Sequence, residues 1–461
     1  MRQRILLACP QMTTTVTDSS AVSGPGLHRA IGSKLLLFLV IGDMLGTGIY
    51  ALTGDVAGRV GGAAWLAFGA AFIVAMFTAT SYLELVGKYP SAAGAALYSQ
   101  RAFGNRFVTF LVGFAVMCSA LTSVAAASRA FSGYFQELAA VPLVVLVPLF
   151  ILGLAYINFR GVGESVKLNV VMTCIELTGL LIVIAVGAWA LGHGIGEPAR
   201  ALEFNADGQP LALIMSGAAL AFFAIIGFED SVNMVEETTN PQRDFPRAFF
   251  IGISITGVIY MLVAFFTTAL VPIAVLRDTD RDLLEVVRVG APWFPLVVFS
   301  GIAMVAVGNT SLINLMMSAR LLYGMANEHT IPRVFSTVHE RRRTPWFAII
   351  CTTAIALALA SWSGVRTLGG TTALLLLCVF AIVNLAVLLL RSRPVAHEHY
   401  RAPTLCPVLG FVTCLYLAMP FVRGDLAQYA IAGVLLLIGI VLFVLNLLLE
   451  RRAVDRATSA G

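Results

Sequence analysis

The sequence contains few charged residues. Lysine, arginine, aspartate and glutamate together make up 12% of its 461 residues, whereas about 25% is usual in a soluble globular protein. Hydrophobic residues make up 59% of the chain, and its mean hydropathy is +0.88. This composition argues against a soluble globular domain and predicts an all-α integral membrane protein with short loops.

The sequence also lacks the residue patterns of several common chemistries. Its 7 cysteines include no CxxC pair and no Cys/His cluster, so neither a metal centre nor a disulfide framework is predicted. All 6 histidines fall in predicted loops or tails, which leaves a membrane-embedded enzyme without an obvious base. A GxxxxGK[ST] phosphate loop, which an ATP-driven pump would need, does not occur. We therefore expect no enzyme activity, no cofactor, no metal and no nucleic-acid partner.

Long apolar stretches recur along the whole chain. A helix needs roughly 20 apolar residues to cross the hydrocarbon core of a bilayer. Twelve stretches meet this requirement, at 34–57, 63–87, 107–133, 141–158, 167–191, 211–235, 246–273, 293–325, 345–362, 367–391, 404–422 and 427–449. The sequence thus predicts twelve transmembrane helices.

The first and sixth of these stretches are interrupted. The first contains Gly46, Thr47 and Gly48, and the sixth contains the run from Gly227 to Asp230. Each interior glycine destabilises a helix by about 1 kcal/mol, and non-helical backbone inside a membrane is tolerated where it lines a cavity. Paired breaks of this kind are typical of transporter sites built from discontinuous helices. The alternative for one such stretch alone is a glycine-rich face for tight helix packing.

The spacing of the two breaks predicts the domain organisation. Because they lie five spans apart, we expect a 5+5 inverted repeat with discontinuous helices 1 and 6. The predicted segments are a disordered cytoplasmic tail at 1–30, a transporter core at 31–392 with repeats at about 31–192 and 208–392, two additional transmembrane helices at 393–450, and a cytoplasmic tail at 451–461.

Basic residues are distributed unevenly between the two sides of the predicted membrane. With the N-terminus inside, 22 of the 30 lysines and arginines fall on the cytoplasmic side and 8 on the outer side. Cytoplasmic loops of membrane proteins carry such an excess. We therefore expect a multi-pass protein with both termini in the cytoplasm. The sequence gives no indication of its oligomeric state.

Carboxylates inside or beside the spans are candidates for function. They are Asp43, Glu84, Glu176, Glu229 and Asp230. A charged carboxylate facing lipid at the centre of a membrane costs about 2.5–3.5 kcal/mol or more, so these side chains should face the protein interior. Proton relay, cation binding and a buried pair are the options that remain open at this point.

Four motifs give the sequence a resemblance to a known family. They are GDMLGTGIYAL (42–52), YPSAAGAALYSQRAFG (89–104), GFEDSVNMVEETTNPQRDFP (227–246) and ARLLYGMANEHTIPRVFSTVHERRRTP (319–345). In this order they resemble the amino acid–polyamine–organocation (APC) superfamily of permeases, and most closely its cationic amino acid transporter branch and the bacterial relatives of that branch. The resemblance covers roughly residues 30–420. It implies twelve spans, the inverted repeat and amino acid transport.

The resemblance also implies which residues bind substrate. The turn at Gly46, Thr47 and Gly48 matches the family's GxG motif, which holds the substrate carboxylate, and Phe223 matches an aromatic gate. By the same likeness carbonyls near Met44, Phe223 and Ile226 receive the amino group, and Met117, Ser119 and Asn309 lie near the pocket floor. The full implied set of substrate-binding residues is Met44, Gly46, Thr47, Gly48, Ile49, Phe223, Ala224, Ile226, Gly227 and Asn309.

Two residues depart from the family pattern. Some proton-coupled members carry a lysine where this chain has Glu176, and that lysine takes the place of a sodium ion. Asp43 replaces a residue that is usually small and uncharged, and it would either favour a cationic substrate or bond to backbone freed by the break. We predict Glu176 as the proton-coupling residue, with Glu229 and Asp43 as further candidates. A permanently protonated Glu176 is the alternative.

The sequence therefore predicts a secondary active transporter that moves amino acids, cationic ones among them, across the plasma membrane. Its expected partners are the amino acid, protons and the lipid bilayer. An exchanger of amino acids or polyamines on the same scaffold is the main alternative. A channel fits less well, because paired breaks suit the enclosure of one ligand.

Overall fold

The structure is a computed structural model that describes residues 32–90, 94–160, 166–206, 208–239, 241–277, 279, 281–395 and 397–459. The predicted tail at 1–30 lies outside these residues. So do residues 460 and 461 of the predicted C-terminal tail.

Helices account for all the regular elements in the described part of the chain, which contains no β-strand. The α-helices are α1 (Ser33–Met44), α2 (Thr47–Val60), α3 (Ala64–Lys88), α4 (Gly94–Phe103), α5 (Arg106–Phe135), α6 (Leu143–Arg160), α7 (Val166–Gly192), α8 (Pro210–Ile225), α9 (Pro241–Leu270), α10 (Ile273–Arg277), α11 (Asp282–Gly290), α12 (Leu296–Asn327), α13 (Trp346–Trp362), α14 (Val365–Leu390), α15 (Leu405–Leu417), α16 (Pro420–Arg423) and α17 (Leu426–Ser459). Short 3₁₀ segments occur at Pro198–Leu202, Asp230–Glu237 and Arg333–Ser336.

Many of these helices are long and apolar enough to cross a membrane. Within the described residues there are 9 of them, or 10 when the bent pair of α1 and α2 counts as one span. The shorter apolar helices α13 and α15 lie where the sequence predicts the ninth and eleventh spans. The all-α membrane class follows from this, whereas the number twelve stays a prediction. Helix α17 continues to Ser459, past the predicted end of the last span.

Burial separates central helices from peripheral ones. In α14, 72% of the apolar stretch is buried inside the protein, compared with 28% in α6 and α17. Helix α2 is also central, because it packs against α8, α5 and α12, and most of its residues are buried. Apolar side chains on the peripheral helices remain exposed, as lipid-facing surfaces require. The centre of the bundle is therefore built around α2 and its neighbours.

Side chains from distant helices fix the position of α2. The backbone N–H of Gly54 donates to Oδ2 of Asp282 on α11 at 2.6 Å. The carbonyl of Tyr50 accepts from the hydroxyl of Tyr134 on α5 at 2.7 Å. A β-carbon at Gly54 would lie 2.5 Å from Asp282 Oδ1, so glycine is required for this close approach. These bonds tie α2 to α5 and α11.

Candidate functional site

The first helix break separates α1 from α2. Helix α1 ends at Met44 and α2 begins at Thr47, and their axes differ by 43°. Gly46 between them has a φ of +147°, a value that glycine adopts far more readily than other residues. A β-carbon at Gly46 would also lie 2.0 Å from Oγ1 of Thr310 on α12. Backbone geometry and close packing both require glycine here.

The second break follows α8. The helix ends at Ile225, and the chain turns through Gly227, whose φ is +119°, before the 3₁₀ segment begins at Asp230. Glycine again permits the turn, since other residues rarely adopt such a φ. The interruption lies where the sequence predicts it.

The two breaks are in direct contact. A β-carbon at Gly48 would lie 2.3 Å from the Cα of Ala224. A β-carbon at Gly227 would lie 2.1 Å from the carbonyl oxygen of Asp43. Both separations are too short for any side chain. Because glycine has none, the two interrupted helices can meet at these positions.

A cavity lies beside the meeting point of the breaks. Its volume is about 60 Å³, and one water needs about 10–15 Å³ on a comparable scale. Helices α5, α12 and α14 complete the wall through Ser119, Ser123, Asn314 and Thr372, among others. The cavity thus combines interrupted backbone with small polar side chains.

The first break presents hydrogen-bond donors to this cavity. The carbonyl of Met44, at the end of α1, already accepts from the hydroxyl of Tyr260 at 2.7 Å. The first N–H groups of a helix have no partner within that helix and carry a partial positive charge. Oγ1 of Thr47 is buried and has no hydrogen-bond partner among the described residues. The first turn of α2 is therefore suited to an anionic group.

The second break has the opposite polarity. Its backbone N–H at Gly227 donates to Oε2 of Glu229 at 2.8 Å, so this donor is already occupied. Asp43 Oδ2 accepts from Ser231 Oγ at 3.1 Å, which joins the two breaks. Asp43, Glu229 and Asp230 all line the cavity, and its described lining contains no lysine, arginine or histidine. This side of the cavity is suited to a cationic group.

Phe223 lines the cavity and is buried. The side chain is 4% exposed. A β-carbon at Gly369 of α14 would lie 3.2 Å from Phe223 Cδ1 and 2.6 Å from Leu52 Cδ1. The ring thus packs close to α14 in the region where α2 also approaches that helix.

Glu176 on α7 is fully buried but does not line the cavity. Its Oε1 accepts from Nδ2 of Asn309 on α12 at 3.1 Å. Its Oε2 is buried without a hydrogen-bond partner in the described part of the chain. The backbone carbonyl of Glu176 accepts from the hydroxyl of Tyr50 at 2.8 Å, which ties α7 to α2. The carboxylate therefore lies between helices that also carry the site.

Most of the residues implied by the resemblance come together at the cavity. Those that line it are Met44, Gly46, Thr47, Gly48, Phe223, Ala224, Ile226 and Gly227, together with Asp43 and Glu229. Ile49 and Asn309 do not line it, and neither does Met117, whereas Ser119 does.

Sequence reasoning missed several polar wall residues. Ser123 on α5 bonds to Asn314 on α12, whose Nδ2 donates to Ser123 Oγ at 3.1 Å. Asn314 follows Thr310 by four residues, and Ser123 follows Ser119 by four, a spacing that places both members of each pair on one helix face. Polar pairs at this spacing inside apolar runs are the signal that would have identified them.

Several transporters are similar to this chain in sequence. Residues 31–445 match the family described as amino acid permease. The branched-chain amino acid permease BcaP of Bacillus subtilis is 26% identical over 452 residues, covering 92% of this chain and 95% of the relative. The methylthioribose transporter of the same species is 27% identical, covering 87% and 90%. Human cationic amino acid transporter 4 is 30% identical over 350 residues, which cover 69% of this chain and 53% of the human protein.

Proposed function

The chain belongs to the amino acid permease family of the APC superfamily, and from this premise we propose that it is a secondary active transporter of amino acids. The observation that carries the proposal is the contact between two interrupted helices beside one cavity. Such a cavity can hold one small zwitterion, and access would alternate between the two sides of the membrane.

The polarity of the cavity supports one orientation of the substrate. The α-carboxylate would bind at Gly46, Thr47 and Gly48, where the start of α2 offers donors. The amino group would lie beside the second break, near the carbonyls around Phe223 and Ile226. The unpartnered hydroxyl of Thr47 supports this orientation, because a buried hydroxyl without a partner is destabilising by about 1–3 kcal/mol until a ligand satisfies it.

The acidic lining supports cationic amino acids as substrates. Asp43, Glu229 and Asp230 all line the cavity, and the described part of its wall contains no basic residue. The relatives named above include a branched-chain permease and a cationic amino acid transporter, so family membership leaves this choice open. The three carboxylates favour a substrate with net positive charge.

The architecture we propose has twelve spans with a 5+5 inverted repeat at about 31–192 and 208–392. Two further helices would lie at 393–450, and both tails would be cytoplasmic in the plasma membrane. The excess of basic residues on one predicted side supports this orientation.

We propose that transport is coupled to protons through Glu176, with Glu229 and Asp43 as further candidates. The buried Oε2 of Glu176, which lacks a partner among the described residues, supports this role. A neutral carboxyl suits the dry site between α7 and α12, whereas ionisation would disfavour that packing. Protonation would then bias the protein towards one facing state, which is what coupling requires.

Uptake by the purified chain in proteoliposomes tests the proposal. We would measure the uptake of twenty amino acids and of polyamines with and without a pH gradient across the membrane. Saturable uptake of arginine or lysine that a pH gradient drives uphill supports the proposal. Uptake that requires internal amino acid and ignores the pH gradient would show an exchanger, and uptake that does not saturate would show a channel.

A further inference from the structure

A tight turn between α12 and α13 presents three consecutive arginines. The N–H of His339 donates to Thr344 O at 2.9 Å, and the N–H of Arg343 donates to His339 O at 2.8 Å. Arg343 has a φ of +58°, a left-handed conformation that few bulky residues adopt. Arg341, Arg342 and Arg343 are all exposed. The turn therefore holds three guanidinium groups on a defined backbone.

This turn is attached to the end of α6. Thr344 Oγ1 donates to the carbonyl oxygen of Phe159 at 3.2 Å. The rings of Phe159 and His339 meet edge to face with their centroids 5.3 Å apart. The next residue along α6 is Arg160, so a fourth guanidinium belongs to the same region.

The guanidinium groups in this region form no ion pair within the part of the chain that the structure describes. The side chains of Arg341, Arg342 and Arg343 form no hydrogen bond or ion pair with any residue that the structure describes. Arg160 lies over the ring of Tyr156, 5.3 Å from its centroid, and forms no ion pair with the described residues. Glu340 is the one acidic residue within the turn. In the described part of this region, four arginines thus outnumber the one carboxylate of the turn, and its net charge is positive.

An exposed apolar surface continues from the arginines along α6 and α13. These two helices pack against each other. Leu152 and Tyr156 on α6 are 52% and 57% exposed, and Ile350 on α13 is 56% exposed. Trp346 at the start of α13 is 38% exposed, and tryptophan is enriched where membrane meets water. A ligand with an anionic head and an apolar tail matches this arrangement.

We propose that the turn at 339–344 and the end of α6 form a binding site for an anionic phospholipid. The phosphate of the headgroup would lie against Arg341, Arg342 and Arg160, since guanidinium binds phosphate with two parallel hydrogen bonds. An acyl chain would follow Leu152 and Ile350. The start of α13 adds a partial positive charge to the same place. The apolar surface favours a lipid over a soluble phosphate.

Lipid titration of matched charge variants tests this site. The full chain in detergent is titrated with phosphatidylglycerol and with phosphatidylcholine of the same acyl chains, and bound lipid is counted by native mass spectrometry. Each arginine near an anionic lipid contributes about 1 kcal/mol, so R341Q/R342Q should weaken phosphatidylglycerol binding about 10–30-fold. The control R243Q/R247Q removes two exposed arginines near the start of α9, on the same predicted side. It should change binding by less than about twofold. Equal loss in both variants would show a general surface charge and would overturn the proposal.

A charge-neutral variant separates a built site from a collection of charges. Thr344→Val keeps every arginine and the side-chain volume but removes the bond to Phe159. Loss of one neutral hydrogen bond should weaken phosphatidylglycerol binding roughly 2–10-fold. Unchanged binding in this variant would contradict the site. The proposal would also be contradicted if the unmodified protein bound inorganic phosphate at the same concentrations at which it binds phosphatidylglycerol. The thermal midpoint measured in phosphatidylcholine alone checks that each variant is folded.

Discussion

The two helix breaks use the same residue type but present opposite polarity to the cavity. At the first break an α-helix begins, and the buried Thr47 hydroxyl at its start has no hydrogen-bond partner among the described residues. At the second break an α-helix ends, and Glu229 already occupies the N–H of Gly227. The macrodipole of each half-helix reinforces this difference, since helix starts are positive and helix ends are negative.

In the proposed site, this difference would orient a zwitterion without a basic residue in the described wall of the cavity. The positive end of α2 and the negative end of α8 lie at opposite sides of the contact between Gly48 and Ala224. Fixed backbone dipoles would therefore supply the charge that a lysine or arginine supplies in other binding sites. The carboxylates beside the second break extend its negative character. Each half of the comparison can be tested separately.

The largest effect should come from forcing the breaks apart. In Gly48→Ala the new methyl group would lie 2.3 Å from the Cα of Ala224, so the two half-helices must separate. We expect uptake to fall to background in a correctly inserted protein. Gly308→Ala is the matched control, because nothing lies within 4 Å of its β-carbon position. If the Gly48 variant transports normally, the contact between the breaks is not needed for transport.

The next effect concerns a carboxylate outside both breaks. Glu176→Gln keeps an acceptor for Asn309 and mimics the protonated form, so substrate binding and exchange should persist. Accumulation driven by a pH gradient should be lost, at least tenfold below wild type. Parallel measurements of counterflow and of pH-driven uptake distinguish these outcomes. Normal pH-driven accumulation would assign coupling to a different residue, with Glu229 as the first to test.

Removing the negative charge from the second break should change selectivity. Glu229→Gln retains an oxygen that can accept from Gly227 but loses the charge facing the cavity. Hydrogen bonds to charged groups contribute about 1.5–3 kcal/mol, so affinity for a cationic amino acid should fall roughly tenfold or more. Binding of a neutral amino acid serves as the internal control and should change little. An equal loss for both substrates would indicate a structural role for Glu229.

Removing one donor from the first break should give the smallest effect. Thr47→Val has nearly the same volume but no hydroxyl, and binding should weaken by about 1–2 kcal/mol for every amino acid substrate. Thr47→Ser restores the hydroxyl and should restore affinity. The measurement is the dissociation constant for substrate by scintillation proximity. Full affinity in the valine variant would place the carboxylate elsewhere.

The breaks were predictable because their cause is local. Glycine at positions 46, 48 and 227 interrupts apolar runs, and the five-span spacing predicts that the interruptions belong together. The walls were less predictable, since they depend on which helices pack side by side. The bond between Asn314 and Ser123 joins residues 191 positions apart. The four-residue spacing identifies Ser123 and Asn314 each as a member of a polar pair on its own helix. It does not predict that α5 and α12 lie side by side.

The contacts of charged residues near the ends of the spans were also not predictable from the sequence. Glu84 accepts from Arg391 Nε at 2.9 Å and from Nη2 at 2.7 Å, which is a buried pair whose basic partner the sequence does not predict. Arg423 is one of the 8 basic residues predicted on the outer side, and the sequence does not predict that it is 1% exposed and donates to Ala219 O at 3.1 Å. Burial lowers the pKa of its guanidinium to about 10. The partner of Glu84 and the burial of Arg423 both depend on how the chain folds around α14 and α15, which no local sequence pattern encodes.

The bond from Tyr260 to the carbonyl of Met44 has a consequence for how the protein is made. Its two partners are 216 residues apart in the chain. While the ribosome is still synthesising the segments between them, the Met44 carbonyl lacks this partner, and an unsatisfied carbonyl in hydrocarbon is destabilising by several kcal/mol. The first span should therefore stay near water or the insertion machinery until α9 has emerged. Its assembly would finish late, although it is synthesised first.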